Sequence, residues 1–184
     1  MRPMPKLLPI RILGDEILRK KLNEADLKDP DLMSFLEDLT HTMYERDGVG
    51  LAANQVGADK RIFVIDPYWA QENAQRKPIV MINPEIIEME GEQVYEEGCI
   101  SLPDIYAKVH RANKIRYRYT SPSGEMKEET AEGYEAVVIQ HEYDHLNGVV
   151  FTDRIGTLAK LRLMHRLKEM ETKAVNGVNI RTED

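Results

Sequence analysis

Cysteine and long apolar segments are both scarce in this sequence. Cys99 is the only cysteine among the 184 residues, so an internal disulfide is excluded and a reducing compartment is favoured. No apolar run approaches the length of a membrane span. Residues 1–6 are not followed by the apolar stretch and cleavage site of a secretory signal. We therefore expect a cytoplasmic protein with no membrane association.

Positive charge is also in deficit. The chain has 25 Lys and Arg against 32 Asp and Glu, which gives a formal net charge of −7. That balance argues against a general nucleic-acid binder, and we expect no direct DNA binding. The length suits one domain with its own core, and the sequence contains no internal repeat. We expect a single domain over residues 1–174 and a mobile polar tail over residues 175–184.

The most informative stretch is residues 140–148, which contains His-Glu-x-x-His. Residues four apart lie about 40° apart around a helix, so His141 and His145 project from one face and can share a cation. Glu142 leaves the same turn, where it can reach a water molecule beside that cation. Gly148 follows where a helix end favours a residue with positive φ. The pattern predicts a buried helix that carries a metal site.

Several interpretations of this helix compete. Two histidines and a glutamate at this spacing also occur by chance on a half-buried helix. A metzincin would need a third histidine at the position of Phe151, so that form is excluded. A thermolysin-like zinc peptidase would take a ligand from the following helix, where His165, Glu169 and Glu171 are interpreted as solvated residues. Cys99 alone would be interpreted as buried packing, but it becomes a candidate third ligand beside two histidines.

Periodic apolar residues predict the helices. A short helix begins at Asp15, a longer one follows residues 29–31 and continues through Tyr44, and the motif helix is preceded by the apolar residues 134–139. The final helix is expected over residues 157–173. Its apolar stripe consists of Leu158, Leu161, Met164 or His165, and Leu167 or Met170.

Alternating and β-branched residues predict the strands, at residues 61–66, 79–83, 114–119 and 125–132. Pro84 is expected to end the second of them. The segment 67–78 is interpreted as a loop or insertion of unassigned role. Residues 85–97 contain six glutamates and no basic residue, so they are interpreted as a solvated acidic face.

The glycine-rich residues 47–57 do not fit the dinucleotide or phosphate-loop patterns. A helix precedes them, no third glycine has the required spacing, and no Gly-Lys-Ser/Thr is present. They predict either an ordinary turn or a tight loop that presents its backbone and the amide of Gln55.

Three ordered motifs together resemble the peptide deformylase family. They are Gly-Val-Gly-Leu-Ala-Ala-Asn-Gln at residues 48–55, Glu-Gly-Cys-Ile-Ser at residues 97–101, and Gln-His-Glu-x-x-His-Leu-x-Gly at residues 140–148. The resemblance extends from about residue 10 to residue 165, and the basic final helix is similar to that of the bacterial class with a long C-terminal helix. Ile100 stands where leucine is usual, and Tyr106 where some bacterial members have arginine.

The resemblance implies an α+β fold, with antiparallel β-sheets around a central metal-binding α-helix and with a C-terminal helix. The implied reaction is hydrolysis of the N-formyl group from formyl-methionine at the N-terminus of newly made polypeptides, which releases formate. The implied cofactor is one divalent metal ion per chain, Fe²⁺ natively, with Zn²⁺, Ni²⁺ or Co²⁺ as substitutes. The zinc peptidase that uses the same helix remains the alternative.

The resemblance also assigns roles to residues. The metal ligands would be Cys99, His141 and His145, which leave one tetrahedral position open. The catalytic groups would be the Glu142 carboxylate, the Gln55 amide and the Ile100 backbone N–H. The substrate-binding residues would be Gly50, Val49, Val137 and Val138.

Two further interpretations follow from the same residues. A non-catalytic relative could keep the metal for structure alone, but Glu142 and Gln55 would then be unnecessary. The basic residues of helix 157–173 suggest contact with the ribosome near the point where the substrate emerges, and a plain solvated helix is the alternative.

Overall fold

The computed structural model describes residues 3–182. It contains three α-helices: α1 (Leu32–Glu45), α2 (Gly133–Leu146) and α3 (Thr157–Thr172). Short 3₁₀ turns occur at Glu16–Arg19, Ala53–Val56 and Phe151–Asp153. The helices expected near Asp15, after residue 31, at the His-Glu-x-x-His motif and near residue 157 are all present, so these predictions are confirmed.

Seven strands form two antiparallel sheets. The strands are β1 (Gly50–Ala52), β2 (Ile62–Ile65), β3 (Ile79–Glu90), β4 (Gln93–Cys99), β5 (Leu102–Arg111), β6 (Lys114–Thr120) and β7 (Met126–Glu132). One sheet has the order β1-β2-β3-β6-β7, and the other is the β4-β5 hairpin. Three helices with antiparallel sheets confirm the α+β class.

Helix α2 lies at the centre of this arrangement. It packs against β1, β2 and β7, and ten of its fourteen residues are buried, including both histidines of the motif. The helix is thus buried around most of its circumference rather than along one stripe. The helix ends where Gly148 adopts a φ of +74°. A Cβ there would lie 2.5 Å from the backbone oxygen of Arg19, so the chain needs glycine at this position for two reasons.

The prediction that Pro84 ends its strand is wrong. β3 continues through Pro84 to Glu90, with an irregularity in its pairing to β6 between Ile82 and Glu85. Asn83 adopts a φ of +50° there. Its side-chain oxygen accepts from the Ala25 N–H, and its side-chain NH₂ donates to the Ala25 carbonyl. At such a bulge proline has no ladder hydrogen bond to donate, so the strand can bend and continue.

The stripe predicted on α3 is only partly buried. Leu167 is the one residue of the helix that the structure records as fully buried, whereas Leu158 and Leu161 are 63% and 57% exposed. The buried face instead centres on Leu167, with Leu163 and Met170 partly buried beside it. The predicted stripe was therefore rotated away from the contact that the helix makes.

The segment expected to be a mobile tail makes defined contacts over its described residues. Ile180 forms an antiparallel bridge with Arg11, and Asn179 is buried. Residues 183 and 184 lie outside the described residues. Motion of this segment in solution stays a prediction. Among residues 3–182, no helix has the length and apolar character to cross a membrane.

Candidate metal centre and active site

The two motif histidines and the single cysteine meet in the structure. His141 and His145 project from α2 with ring centroids 5.0 Å apart. Cys99, the last residue of β4, places its Sγ 3.3 Å from His145 Nε2. One ligand atom from each of the three residues lies within 4.8 Å of the others. In a tetrahedral site with bonds of about 2.0–2.3 Å, ligand atoms are separated by about 3.3–3.8 Å, so this group fits a cation after small adjustments.

The ring nitrogens of both histidines suit this assignment. His141 Nδ1 is 2.8 Å from Glu97 Oε1, so Nδ1–H donates to a carboxylate and Nε2 is left as the ligand atom, as is usual for metal-binding histidines. Burial lowers the pKa of His145 well below its ordinary value, and the positive charges of His141 and Arg111 lower it further. His145 is therefore neutral, which is the form that binds metals.

The pKa of His141 moves in the opposite direction. Burial lowers it, but the negative charge of Glu142 and the hydrogen bonds to Cys99 and Glu97 more than offset that effect and raise it well above the ordinary value. Negative groups thus concentrate around this imidazole and favour a positive charge beside it. A proton or a divalent cation can supply that charge, so metal binding here would release protons.

A buried ionic network holds Glu97 in place. Arg111 donates to both carboxylate oxygens of Glu97, at 2.8 and 2.9 Å, and to Asp144 at 2.6 Å. Arg154 donates to both oxygens of Asp144. Burial raises the pKa of Glu97, but hydrogen bonds and charge from Arg111 and His141 more than offset that effect and lower the pKa to about 2. Glu97 is therefore an anion that orients His141, and it connects β4, β5 and α2.

Glu142 is buried beside this group. Its Oε2 is 4.0 Å from His141 Nε2, and its Oε1 has no hydrogen-bond partner within residues 3–182. Burial raises its pKa to about 7, although the charge of His141 opposes the shift. A carboxyl group that titrates near neutral pH can accept a proton and release it again.

Gln55 has a fixed orientation. Its Oε1 accepts from the Ala52 N–H at 2.9 Å, while its Nε2 donates to Ser101 Oγ at 3.1 Å and to Cys99 Sγ at 3.4 Å. One amide N–H therefore faces the sulfur, as a donor to a nearby oxyanion would. Of the two interpretations of residues 47–57, the tight loop that presents Gln55 matches this arrangement: β1 and a 3₁₀ turn occupy the segment.

One cavity of about 1080 Å³ opens onto these groups. All but one of the predicted site residues line it, and His145 lies buried beneath. The lining includes Val49, Gly50, Gln55, Cys99, Ile100, Val137, Val138, His141 and Glu142. Tyr106 lies over Gly98, where a Cβ would come within 2.8 Å of its ring. His165, Glu169 and Glu171 are exposed on α3 and do not join the ligand group.

Sequence reasoning missed Glu97, Arg111 and Asp144. Residues 85–97 were expected to form a solvated acidic face, but Glu97 is only 6% exposed, so that prediction is wrong for Glu97. Strand alternation could have revealed it, because Glu97 and Cys99 are two apart and share a face of β4. Arg111 likewise falls in phase with Ile105, Ala107 and Val109 on the buried face of β5.

Comparisons with known proteins agree with this geometry. The profile of the family described as Polypeptide deformylase matches residues 7–161. A peptide deformylase from Thermotoga petrophila is 44% identical over 162 residues, which cover 88% of this chain and 94% of the relative. One from Mesorhizobium japonicum is 43% identical over 170 residues, which cover 92% and 96%.

Solved structures give the same result. The crystal structure of the peptide deformylase from Thermus thermophilus has a TM-score of 0.82 at 36% identity, covering 91% of this chain and 99% of that chain. The peptide deformylase from Synechococcus elongatus, solved in complex with actinonin, has a TM-score of 0.81 at 37% identity, covering 97% and 94%. On sequence and structure alike, this chain belongs to the polypeptide deformylase family of enzymes.

Proposed function

We propose that this enzyme removes the N-formyl group from formyl-methionine at the N-terminus of newly made polypeptides. The products are formate and a free amino terminus. The observation that carries the proposal is the position of the Glu142 carboxylate, with one oxygen unpartnered among the described residues, beside the Cys99, His141 and His145 group in a single cavity. Removal of the formyl group is the known function of the family.

The family depends on a metal, and Cys99, His141 and His145 are the proposed ligands of one divalent ion in each chain. We propose Fe²⁺ as the native ion and Zn²⁺, Ni²⁺ or Co²⁺ as substitutes, as the family resemblance implies. A divalent ion held by three protein ligands supplies Lewis acidity and makes a nearby water more acidic. Glu97 supports the site by fixing the ring of His141.

Glu142 is the proposed proton carrier. With a pKa of about 7, its carboxylate accepts a proton from the attacking water as the new C–O bond forms. The same proton then passes to the amide nitrogen as the C–N bond of the formamide breaks, so formate leaves and the amine is released. General acid–base catalysis of this kind contributes about 10²- to 10⁴-fold in rate.

Gln55 and Ile100 are the proposed donors to the oxygen of the formyl group. The Gln55 amide is aimed toward Cys99 by its bond from the Ala52 N–H, and Ile100 immediately follows Cys99 in the chain. As the carbonyl carbon becomes tetrahedral, its oxygen gains negative charge that these N–H groups stabilise. Loss of one such donor typically raises the barrier by about 3 kcal/mol.

The substrate main chain is proposed to run along β1. This strand lies at the edge of the five-stranded sheet and pairs on one side with β2, so its other side can accept an extended peptide. The methionine side chain is proposed to occupy the apolar part of the cavity, beside Val49, Gly50, Val137 and Val138.

The direct test measures formate released from a formyl-Met peptide by protein purified without oxygen, with the metal content of the same sample determined. We expect release at about one metal per chain. Glu142→Ala should keep the metal and lose turnover, whereas Glu135→Ala, at the start of the same helix, should retain activity. Bound metal with cleavage of internal peptide bonds and no formate would instead identify a peptidase.

We also propose that α3 contacts the ribosome where the substrate emerges. Its basic residues Lys160, Arg162, Arg166 and Lys168, and Lys173 immediately after it, are all exposed, in a protein of net charge −7. Such a basic surface attracts an RNA-rich partner, in a manner that salt weakens. Reversal of Lys160, Arg162 and Lys168 to Glu should abolish co-sedimentation with ribosomes at low salt, and undiminished co-sedimentation would exclude the contact.

A further inference from the structure

The chain beyond α3 returns to the body of the protein as an additional strand. Gly177 adopts a φ of +79° in the turn between Val175 and Val178. Residues 178–182 then run antiparallel to residues 10–12. The Ile12 N–H donates to the Asn179 carbonyl at 2.8 Å, and the Arg181 N–H donates to the Ile10 carbonyl at 2.8 Å. We refer to residues 178–182 as the C-terminal strand.

Asn179 anchors this strand. Its backbone N–H donates to Asp15 Oδ2 at 2.9 Å, and its side-chain amide donates to the carbonyls of Leu13 and Met170 at 2.8 and 3.0 Å. Asn179 and Asp15 are both buried. Because the strand is bonded to the chain before α1 and to α3, its position is set by the fold.

The C-terminal strand lines the same cavity as the candidate catalytic residues. All five of its residues contact that cavity. Side chains of a strand alternate between two faces, so five consecutive contacts mean that the cavity runs along the edge of the strand. The bonds to residues 10–12 use the Asn179 carbonyl and the Arg181 N–H. The N–H and carbonyl of Ile180 therefore point away from residues 10–12, and neither bonds another backbone group within residues 3–182.

The size of the cavity leaves room for more than one residue of substrate. Cavities that hold drug-sized ligands measure about 300–1,000 Å³, and this one measures about 1080 Å³. A formyl-methionine residue is smaller than such a ligand. The remainder of the cavity, bounded by Ile12 and the C-terminal strand, would be left for the chain that follows the methionine.

We propose that the C-terminal strand is a subsite for the substrate residues downstream of the formyl-methionine. The unpaired edge at Ile180 receives the extended peptide by adding a strand, and Ile12 and Ile180 supply apolar contact. This subsite rests on the proposed deformylase function of the same cavity. It predicts that longer formyl peptides are better substrates than a formyl dipeptide, and that the difference arises from residues 178–182.

The test compares formyl-Met-Ala with a formyl-Met heptapeptide. Ile180→Pro removes the outward N–H, and Ile180→Ala removes the side chain and keeps the backbone. Val175→Ala is the matched control, because Val175 is an exposed apolar residue of the same segment that does not line the cavity. In either Ile180 variant we expect kcat/KM for the heptapeptide to fall about five-fold, through KM, with no change for formyl-Met-Ala.

Equal losses on both peptides, or no loss in either Ile180 variant, would overturn the subsite. If the wild-type protein releases formate from neither peptide, the proposed function fails, and binding of the unformylated heptapeptide then decides the subsite. Its Kd should rise about five-fold in the Ile180 variants and stay constant in Val175→Ala. A Kd that is equal in all four proteins would exclude a role for this strand.

Discussion

Gly50 and Glu142 are packed so closely that a side chain on Gly50 would displace the Glu142 carboxylate. A Cβ on Gly50 would lie 2.5 Å from Glu142 Oε2, and the carboxylate could not stay where it is. Gly50 lies in β1 and Glu142 in α2, so the packing of this strand against the central helix sets the position of the proposed proton carrier. The site therefore requires glycine at position 50 for the Glu142 carboxylate to keep its position.

Gly50→Ala should therefore lower kcat about 10²-fold, because displacement of a catalytic group by about 1 Å costs on that order. The metal content should not change, since the three atoms nearest to a Cβ at Gly50 all belong to Glu142 and to none of the three proposed ligands. Formate release and metal analysis on one sample measure both effects. Gly156→Ala is the matched control, because a Cβ at Gly156 meets no atom within 4 Å, and it should leave kcat unchanged.

The dependence of activity on pH should report the ionisation of Glu142. The group acts as a base only when ionised, and burial raises its pKa to about 7. Activity should therefore rise with pH as Glu142 loses its proton, with a midpoint at or below about 7, since a bound cation would lower the pKa. The profile of kcat/KM between about pH 4.5 and about pH 9 measures this limb. Activity that falls as the pH rises through about 7 would contradict the assignment.

At this scale the sequence predicted roles for five motif residues and missed the role of Glu97, which begins the second motif, and that of its partner Arg111. His141, Glu142, His145, Cys99 and Gln55 stand at fixed spacings with recognisable chemistry. Arg111 belongs to no motif, and its partner Glu97 stands among five other glutamates. Only strand register places them against His141, and register depends on pairings between distant residues.

Among the elements, segment 67–78 has the least obvious role in the sequence. In the structure it supports the wall of the cavity. Trp69 Nε1 donates to the Gly48 carbonyl at 2.8 Å, and the Trp69 ring meets Tyr44 edge to face at 5.0 Å. The Arg76 guanidinium lies 4.3 Å from the centre of the Tyr44 ring. The segment thus holds the residues that precede β1 against α1.

Trp69→Phe keeps an aromatic ring and removes the N–H donor. We expect the free energy of unfolding to fall by about 1 kcal/mol, because the Gly48 carbonyl loses its partner. The KM for formyl-Met-Ala should also rise slightly, because Gly48 lines the cavity and loses the hydrogen bond that positions its carbonyl. Urea unfolding and steady-state kinetics measure the two. Tyr68→Phe removes only a hydroxyl from the neighbouring side chain and should change neither quantity. If Trp69→Phe unfolds with the same free energy as wild type, the Trp69–Gly48 hydrogen bond contributes nothing to stability.

Most helix and strand positions were predictable, because local periodicity and turn residues determine them. The errors occurred where contacts with residues distant in the sequence determine where a strand ends or which face of a helix is buried. Pro84 does not end β3, because a bulge and the Asn83 side chain accommodate it. The predicted stripe of α3 begins with Leu158 and Leu161, which remain exposed, because the helix packs through the face that contains Leu167.

Across the whole molecule, the buried charges of Glu97, Arg111 and Asp144 join the two-stranded sheet to the central helix. The pKa of Glu97 is lowered from 4.5 to about 2. A carboxyl group whose pKa is lower in the folded than in the unfolded state contributes stability at pH values above its unfolded pKa. That contribution declines as the pH falls from about 4.5 to about 2.

Glu97→Gln should therefore be destabilised by about 3 kcal/mol at pH 7, because the folded protein lowers the pKa of Glu97 from 4.5 to about 2. The difference from wild type should shrink below about pH 4.5. Urea unfolding at several pH values, on matched metal-free samples, measures it. Glu96→Gln, at the exposed neighbouring position, should follow the wild-type pH dependence. A Glu97→Gln deficit that persists unchanged at about pH 3 would contradict this account of the network.

The α+β class and four of the seven strands followed from the sequence, but β1, β4, β5 and the sheet order did not. Nothing local in β3 indicates that it pairs with β2 and β6 while β4 leaves for a separate hairpin with β5. Neither did composition predict that a polar segment after α3 would line the cavity. Both features depend on long-range hydrogen bonds, which carry no periodic signal.

The bond from the Asn179 N–H to Asp15 joins residues 164 apart in the chain. Translation proceeds at about 5–20 residues per second, so about 8–33 s separate the synthesis of the two partners. During that interval Asp15 lacks its eventual donor, and the edge at residues 10–12 has no strand beside it. The cavity wall formed by residues 178–182 is thus added only after β1 and α2 have been made.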